Sequence, residues 1–242
     1  MARHRIREPA RSILQCLAPA MIELWGVDGF TIGGGTALAA RWRHRRSTDI
    51  DITVDAGLFS RTKDRLHAAL EEAAAQHLAS DHGWLTGAFP EGEFSVATTP
   101  PLLIPAPAGS RESDWGIRME STSEILTRKL RLRMYSNGEF VSRDFYDICT
   151  AAEQDPGSLT RALDYLTAVQ RKEIASEVAG LGSRANCLGR ALTDVHRPAW
   201  LTELARHTAQ LIRSGPDPTP ENKDDPDDPF AIPNPFETPA PW

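Results

Sequence analysis

Cysteine is scarce: Cys16, Cys149 and Cys187 are the only three in 242 residues, and they lie far apart. With no Cys-x-x-Cys pair, neither a thiolate zinc site nor a disulfide framework is expected, and the odd count suits a reducing compartment. The seven histidines show no metal-ligand spacing, and only His44 falls inside a motif. No Ser-His-Asp arrangement is legible. No apolar run is long enough to cross a bilayer. Residues 12–27 are apolar, but Gln15 and Glu23 interrupt them, so they read as an amphipathic helix rather than a signal peptide. These absences predict a soluble cytoplasmic protein.

The charge excess is local. The formal net charge is −6. Residues 217–242 hold seven acids and one base, which leaves 26 of the 33 acids and 26 of the 27 bases in the rest of the chain. The body is therefore neutral, and a nucleic-acid partner would need a local basic patch. Residues 214–242 also carry nine of the eighteen prolines. Such a segment buries too little apolar surface to offset its ordering entropy, and is expected to be disordered. Phe230, Phe236 and Trp242 punctuate it, as docking points or within a plain solubilising tail.

Apolar residues make up 40% of the chain, enough for a sizeable core. Ile13, Leu17, Met21 and Leu24 recur at helical spacing, predicting a helix over 9–25. A short strand over 30–32 leads into Gly33-Gly34-Gly35-Thr36 and a short helix. A basic run, Arg41, Arg43, Arg45 and Arg46, precedes Asp49-Ile50-Asp51-Ile52-Thr53-Val54, whose period of two predicts a half-buried strand. Further helices are expected over 61–78, 121–134, 142–153, 158–178, 183–195 and 198–212. Strands are expected over 84–89, 94–98 and 116–120, with a loop over 105–114. No internal repeat is present. The chain divides into a core over 1–120, a helical region over 121–213 and the tail over 214–242.

The chemistry is concentrated between Gly33 and Asp51. Residues two apart on a strand share a face, so Asp49 and Asp51 project together. Paired carboxylates repel unless a cation lies between them, and Mg²⁺ prefers hard oxygen ligands and bridges to phosphates. A glycine turn before a helix offers backbone N–H groups to an anion, and Thr36 adds a hydroxyl. Taken singly, each feature has an ordinary explanation: a solvated Asp-x-Asp, a plain glycine turn, a solvated basic loop with Trp42 packed inward. No Gly-Lys-Ser/Thr follows the glycines, so this is no P-loop, nor is it a dinucleotide fingerprint. The signal is the ordered combination. The basic run, extended by Arg3, Arg5, Arg7 and Arg11, would suit phosphates of an RNA acceptor or of a nucleotide.

Gly34-Gly35-Thr36-Ala37-Leu38 followed by His44-Arg45-Arg46-Ser47-Thr48-Asp49-Ile50-Asp51 resembles the opening motif of the AbiEii/AbiGii-type nucleotidyltransferases, which include type IV and MenT-like toxins. Ser123-Glu124-Ile125-Leu126, Lys129-Leu130, Arg133 and Arg143-Asp144-Phe145-Tyr146-Asp147-Ile148 resemble the family's later motifs. The resemblance implies an α+β nucleotidyltransferase fold, a small mixed sheet flanked by helices with a helical C-terminal region. It also implies metal ligation by Asp49 and Asp51, with Mg²⁺ as cofactor and an NTP as substrate. Catalytic roles would extend to Lys129 and Asp144, with Asp147 structural. Nucleotide binding would involve Gly34, Gly35, Thr36, Ser47 and Lys129. The resemblance also implies that Ser47 can be a site of inactivating phosphorylation, as in MenT-like relatives, the alternative being that it only shapes the loop. Read directly, Lys129 is one charge on a basic helix face and Asp144 suits a helix start.

One departure stands out. Many nucleotidyltransferases carry a third acid on a later strand, but Phe94-Ser95-Val96-Ala97-Thr98 has none. Asp144 or Glu120 would close the site, or the site is weakened; the number of metals stays open. The leading expectation is a Mg-dependent toxin that transfers NMP to RNA, at the tRNA 3′ end, with a cognate antitoxin as partner and no membrane association. The alternatives are NMP transfer to a protein side chain and a catalytically degenerate nucleotide- or partner-binding module.

Overall fold

The computed structural model describes residues 3–106 and 109–215. The acidic, proline-rich tail from residue 216 on, expected to be disordered, lies outside the described residues.

The alternation after Asp49 is a strand. In β3 (Ile50–Val54), Ile50, Ile52 and Val54 are buried while Asp51 and Thr53 are half-buried. This strand sits inside an eight-stranded mixed sheet. The order is β1 (Arg3–His4), β7 (Ser110–Glu112), β8 (Arg118–Met119), β2 (Phe30–Ile32), β3, β6 (Gly92–Ala97), β5 (Trp84–Phe89) and β4 (Gln76–Asp81). β3 runs antiparallel to β2 and parallel to β6, with Ile52 opposite Ile32 and Val96, and Asp51 opposite Ser95.

Helices α1 (Ala10–Trp25) and α3 (Ala56–Glu72) pack together beside the sheet, and the Trp25 indole donates to the Thr62 hydroxyl at 2.7 Å. Helix α2 (Gly34–Trp42) leaves β2 through the glycine turn. Against it pack α4 (Thr122–Thr127) and α5 (Ser142–Gln154), and α6 (Pro156–Asp164), α7 (Ala168–Leu181) and α8 (Leu204–Ser214) complete the helical region. One continuous apolar cluster runs from Ile6 to Ile212 through both parts. The architecture is α+β, a mixed sheet flanked by helices and followed by a helical C-terminal region, as expected.

Several elements differ from their expected bounds. The helix expected over 61–78 begins at Ala56, where Asp55 accepts from the Leu58 N–H, and ends at Glu72. Ala74 adopts a left-handed φ of 59°, and the chain turns into β4, which is almost wholly exposed. Its strand state comes from pairing with β5 rather than from its own alternation. Likewise β7 forms inside the expected loop because β1 and β8 flank it.

Ser121 caps α4 through the Glu124 N–H, and the helix then widens into π-helical turns over Arg128–Ser136. The helix expected over 158–178 breaks into two, with a Thr167–Gln170 capping box starting α7. The helix expected over 183–195 is a short 3₁₀ turn, Gly182–Asn186, followed by an irregular strap. That strap spends its backbone groups on distant partners: Leu188 bonds Ser142 in both directions, Thr193 accepts from Arg46, and His196 donates to His44. The last expected helix starts as a 3₁₀ turn, Pro198–Glu203, before α8.

Candidate active site

The glycine turn, the Asp pair and the first turns after α4 surround a cavity of about 490 Å³. Gly34, Gly35, Ser47, Asp49, Asp51, Glu120, Lys129 and Asp144 all line it. Thr36 does not. It is 2% exposed, and its hydroxyl donates to the Asp49 carbonyl and pairs with the Ser47 hydroxyl at 2.7 Å. The side chain is engaged in tying α2 to the strand start, and it lines a neighbouring cavity instead.

Each glycine makes room for one charged side chain. A Cβ on Gly33 would lie 2.6 Å from Glu120 Oε2, on Gly34 2.0 Å from Asp51 Oδ2, and on Gly35 2.3 Å from Arg45 Nη2. Gly34 also has a φ of 61°, which an L side chain rarely adopts. As the first residues of α2, Gly34 and Gly35 have N–H groups that no preceding helical turn uses.

Asp51 accepts from the Ser95 hydroxyl at 2.8 Å, so β6 meets it with a hydroxyl rather than a third carboxylate, while Glu93, one residue outside the expected strand 94–98, lies on the cavity rim. Asp49 is more heavily bound. Its Oδ2 accepts from Arg143 at 3.0 Å, and its Oδ1 accepts from Arg190, from the Thr48 hydroxyl at 2.9 Å and from the Glu93 N–H at 3.3 Å. Burial would raise its pKa, but the Arg143 and Thr48 hydrogen bonds and the two guanidinium charges hold it below the usual value. Arg143 stood in the quoted motif only as the neighbour of Asp144. Arg190 had no signal, because its segment was read as a helix.

Lys129 and Asp144 meet each other rather than the Asp pair. The Lys129 ammonium contacts Asp144 and lies 3.1 Å from Asp147, and Arg133 reaches Asp144 at 2.9 Å. Asp144 is fully buried behind these cations. Asp147 also binds Arg45 through Nε at 2.7 Å and Nη2 at 3.0 Å, and His44 Nε2 at 2.7 Å. Burial, with the nearby Arg45 and Lys129 charges, holds the His44 pKa below its usual value against the Asp147 hydrogen bond and charge. The basic run is therefore split. Arg45 is buried, and half-buried Arg41 bonds Ser110 and the Glu120 carbonyl; Arg43 and Arg46 stay exposed. This corrects the single four-arginine grip on phosphate.

Glu120, just after β8, also faces the cavity. Burial pushes its pKa up to about 7, with Glu124 and Asp51 adding negative charge against the compensating Arg128. Arg128 Nε lies 3.0 Å from both Glu120 and Glu124 and is shared between them, so it offsets the burial of Glu120 only in part.

Among the described residues, no three acidic, histidine or cysteine side chains converge to hold an ion. The donor set on offer is two carboxylates from one strand edge, opening on a cavity with room for a ligand. That set fits Mg²⁺, which commonly takes one or two carboxylates and fills its octahedron with water and substrate phosphate oxygens.

A family model described as nucleotidyl transferase AbiEii toxin, type IV TA system, matches residues 26–226. Two solved structures from Helicobacter pylori share the fold. JHP933 is 17% identical with a TM-score of 0.53, and the alignment covers 86% of this chain and 93% of that one. A second, described as a nucleotidyltransferase, is 16% identical with a TM-score of 0.53, covering 86% and 96%. A search of curated protein sequences gives no significant match. Among the described residues, no helix is long and apolar enough to cross a membrane.

Proposed function

The chain belongs to the AbiEii nucleotidyl transferase toxin family of type IV toxin–antitoxin systems, and on that premise we propose that it transfers NMP from a magnesium-bound NTP to an RNA hydroxyl, at the 3′ end of tRNA. The observation that carries the reading is the shared cavity, in which Asp49 and Asp51 face the Gly34-Gly35 turn and Lys129.

In this reading Asp49 and Asp51 would hold the Mg²⁺. The ion would neutralise triphosphate charge and lower the pKa of the attacking hydroxyl. The free N–H groups of Gly34 and Gly35 bind phosphate oxygens. Thr36 and Ser47 keep the Asp49 backbone in place through their hydroxyl pair. Lys129, oriented by Asp144 and Asp147, presents positive charge to the departing pyrophosphate. Glu120 stands in the cavity wall within reach of the same space, which suits it to take up the acceptor proton.

RNA is favoured over a protein acceptor by exposed arginines beside the site. Arg7 and Arg46 line a second cavity of about 410 Å³ that shares Arg45 and Ser47 with the first. Phosphodiesters are drawn to such cations. Three unpaired cysteines agree with work in the cytoplasm, where a cognate antitoxin would hold the toxin in check.

The test is incubation with each α-labelled NTP, Mg²⁺ and either total tRNA or a protein pool, beside Asp49→Asn. Label entering tRNA from one NTP, and absent in the variant, is the expected result. Label in protein alone would select the side-chain acceptor. NTP binding without any transfer would select the non-catalytic module, a reading favoured by the two arginines already occupying Asp49.

A further inference from the structure

Asp49 carries two guanidinium partners from unlike places. Arg143 stands in the first turn of α5 and is largely covered. Arg190 comes from the irregular strap after residue 186, and its side chain is 44% exposed. The strap backbone is pinned on both sides of Arg190, by the Leu188–Ser142 bonds before it and the Thr193–Arg46 bond after it. The long side chain is thus free to pivot about a fixed root. It spans two acids of the cavity rim, meeting Asp49 through Nη1 and Glu93 Oε1 through Nη2 at 2.7 Å.

We propose that Arg190 is an exchangeable counter-ion: it neutralises Asp49 and Glu93 in the nucleotide-free chain and passes to the triphosphate when the metal–nucleotide complex enters. This rests on the nucleotidyltransferase reading of the same cavity. The physical reason is charge competition. A divalent cation on Asp49 would face the Arg190 guanidinium at like-charge contact, so the guanidinium must leave. The incoming phosphates present the acceptor that a planar fork binds best, in bidentate fashion. Arg143, rooted on a helix and more covered, stays to orient Asp49. The strap would then report nucleotide occupancy at the mouth of the site.

The exchange makes two predictions of opposite sign for Arg190→Gln in the full chain. Mn²⁺ alone, followed by electron paramagnetic resonance, should bind about three- to tenfold more tightly, because its competitor is gone. Each NTP with Mg²⁺ and no acceptor, followed by equilibrium dialysis, should bind about three- to tenfold more weakly, with Arg190→Lys recovering part of the loss. The melting temperature should stay close to wild type, since the removed side chain is half in solvent. Mn²⁺ and NTP affinities that fall together, or that both stay unchanged, would overturn the proposal. If the wild type binds no NTP, the transferase reading fails, while the Mn²⁺ measurement still decides whether Arg190 and a cation compete for Asp49.

Discussion

Asp147 accepts both Nε and Nη2 of Arg45, at 2.7 and 3.0 Å, across 102 residues of chain. The same carboxylate takes His44 at 2.7 Å and lies 3.1 Å from the Lys129 ammonium. One fully buried acid thereby joins the loop before β3, the widened helix after α4, and α5. It makes the two motif regions a single object.

Replacing Asp147 with Ala should destabilise the fold by about 3–5 kcal/mol, because it leaves the buried Arg45 without its carboxylate partner. Urea unfolding measures this, and a loss near zero would contradict the bracing role. The pH dependence has a definite sign. Burial opposes ionisation, but Arg45, Lys129 and the His44 hydrogen bond hold the Asp147 pKa well below 3.8. A depressed acid contributes stability that is present above its unfolded pKa and lost as pH falls through the folded one. The gap between wild type and Asp147→Asn should therefore be full at pH 6 and shrink below about pH 4.

Glu120 has the opposite sign. Its pKa rises from 4.5 to about 7, so its stabilising contribution is fully present below 4.5 and lost as pH climbs through 7. Without metal, wild type should lose up to roughly 3 kcal/mol relative to Glu120→Gln between pH 4.5 and 8. Paired urea titrations across that range check it; parallel curves would show that Arg128 already compensates the charge.

Gly34→Ala should fail for two reasons at once. The φ of 61° costs strain, and the new Cβ would meet Asp51 Oδ2 at 2.0 Å. We expect about 1–3 kcal/mol of lost stability and loss of NMP transfer, since Asp51 must move. Gly26→Ala is the control: its φ is 73° but nothing lies within 4 Å, so only strain remains. Full transfer by the Gly34 variant would show that Asp51 has no fixed role.

Asp49→Asn should reduce transfer by about a thousandfold or more while keeping the melting temperature near wild type. Its partners Arg143 and Arg190 both reach solvent, so they lose little when the charge goes. Lys129→Met should lose both, because Asp144 and Asp147 are buried around that ammonium. Calorimetry beside the labelling assay separates the two cases. A cold-stable but active Asp49 variant would remove that residue from the chemistry.

Local geometry was legible in the sequence because it depends on neighbours. The period of two determined β3 and put Asp49 and Asp51 on one side, and the glycine run determined a turn into α2. The order of motifs pointed to the family that the chain matches over residues 26–226. What only the tertiary structure decided is which charges meet. Asp144 turned away from the Asp pair toward Lys129 and Arg133, Arg45 went inward to Asp147, and Arg190 arrived at Asp49 from a strap read as helix. β4 and the strap carry no strong pattern of their own, and their conformations come from backbone partners far away in the chain. A buried charge chooses its partner by distance and desolvation in the folded core, and neither quantity exists until the chain has closed on itself.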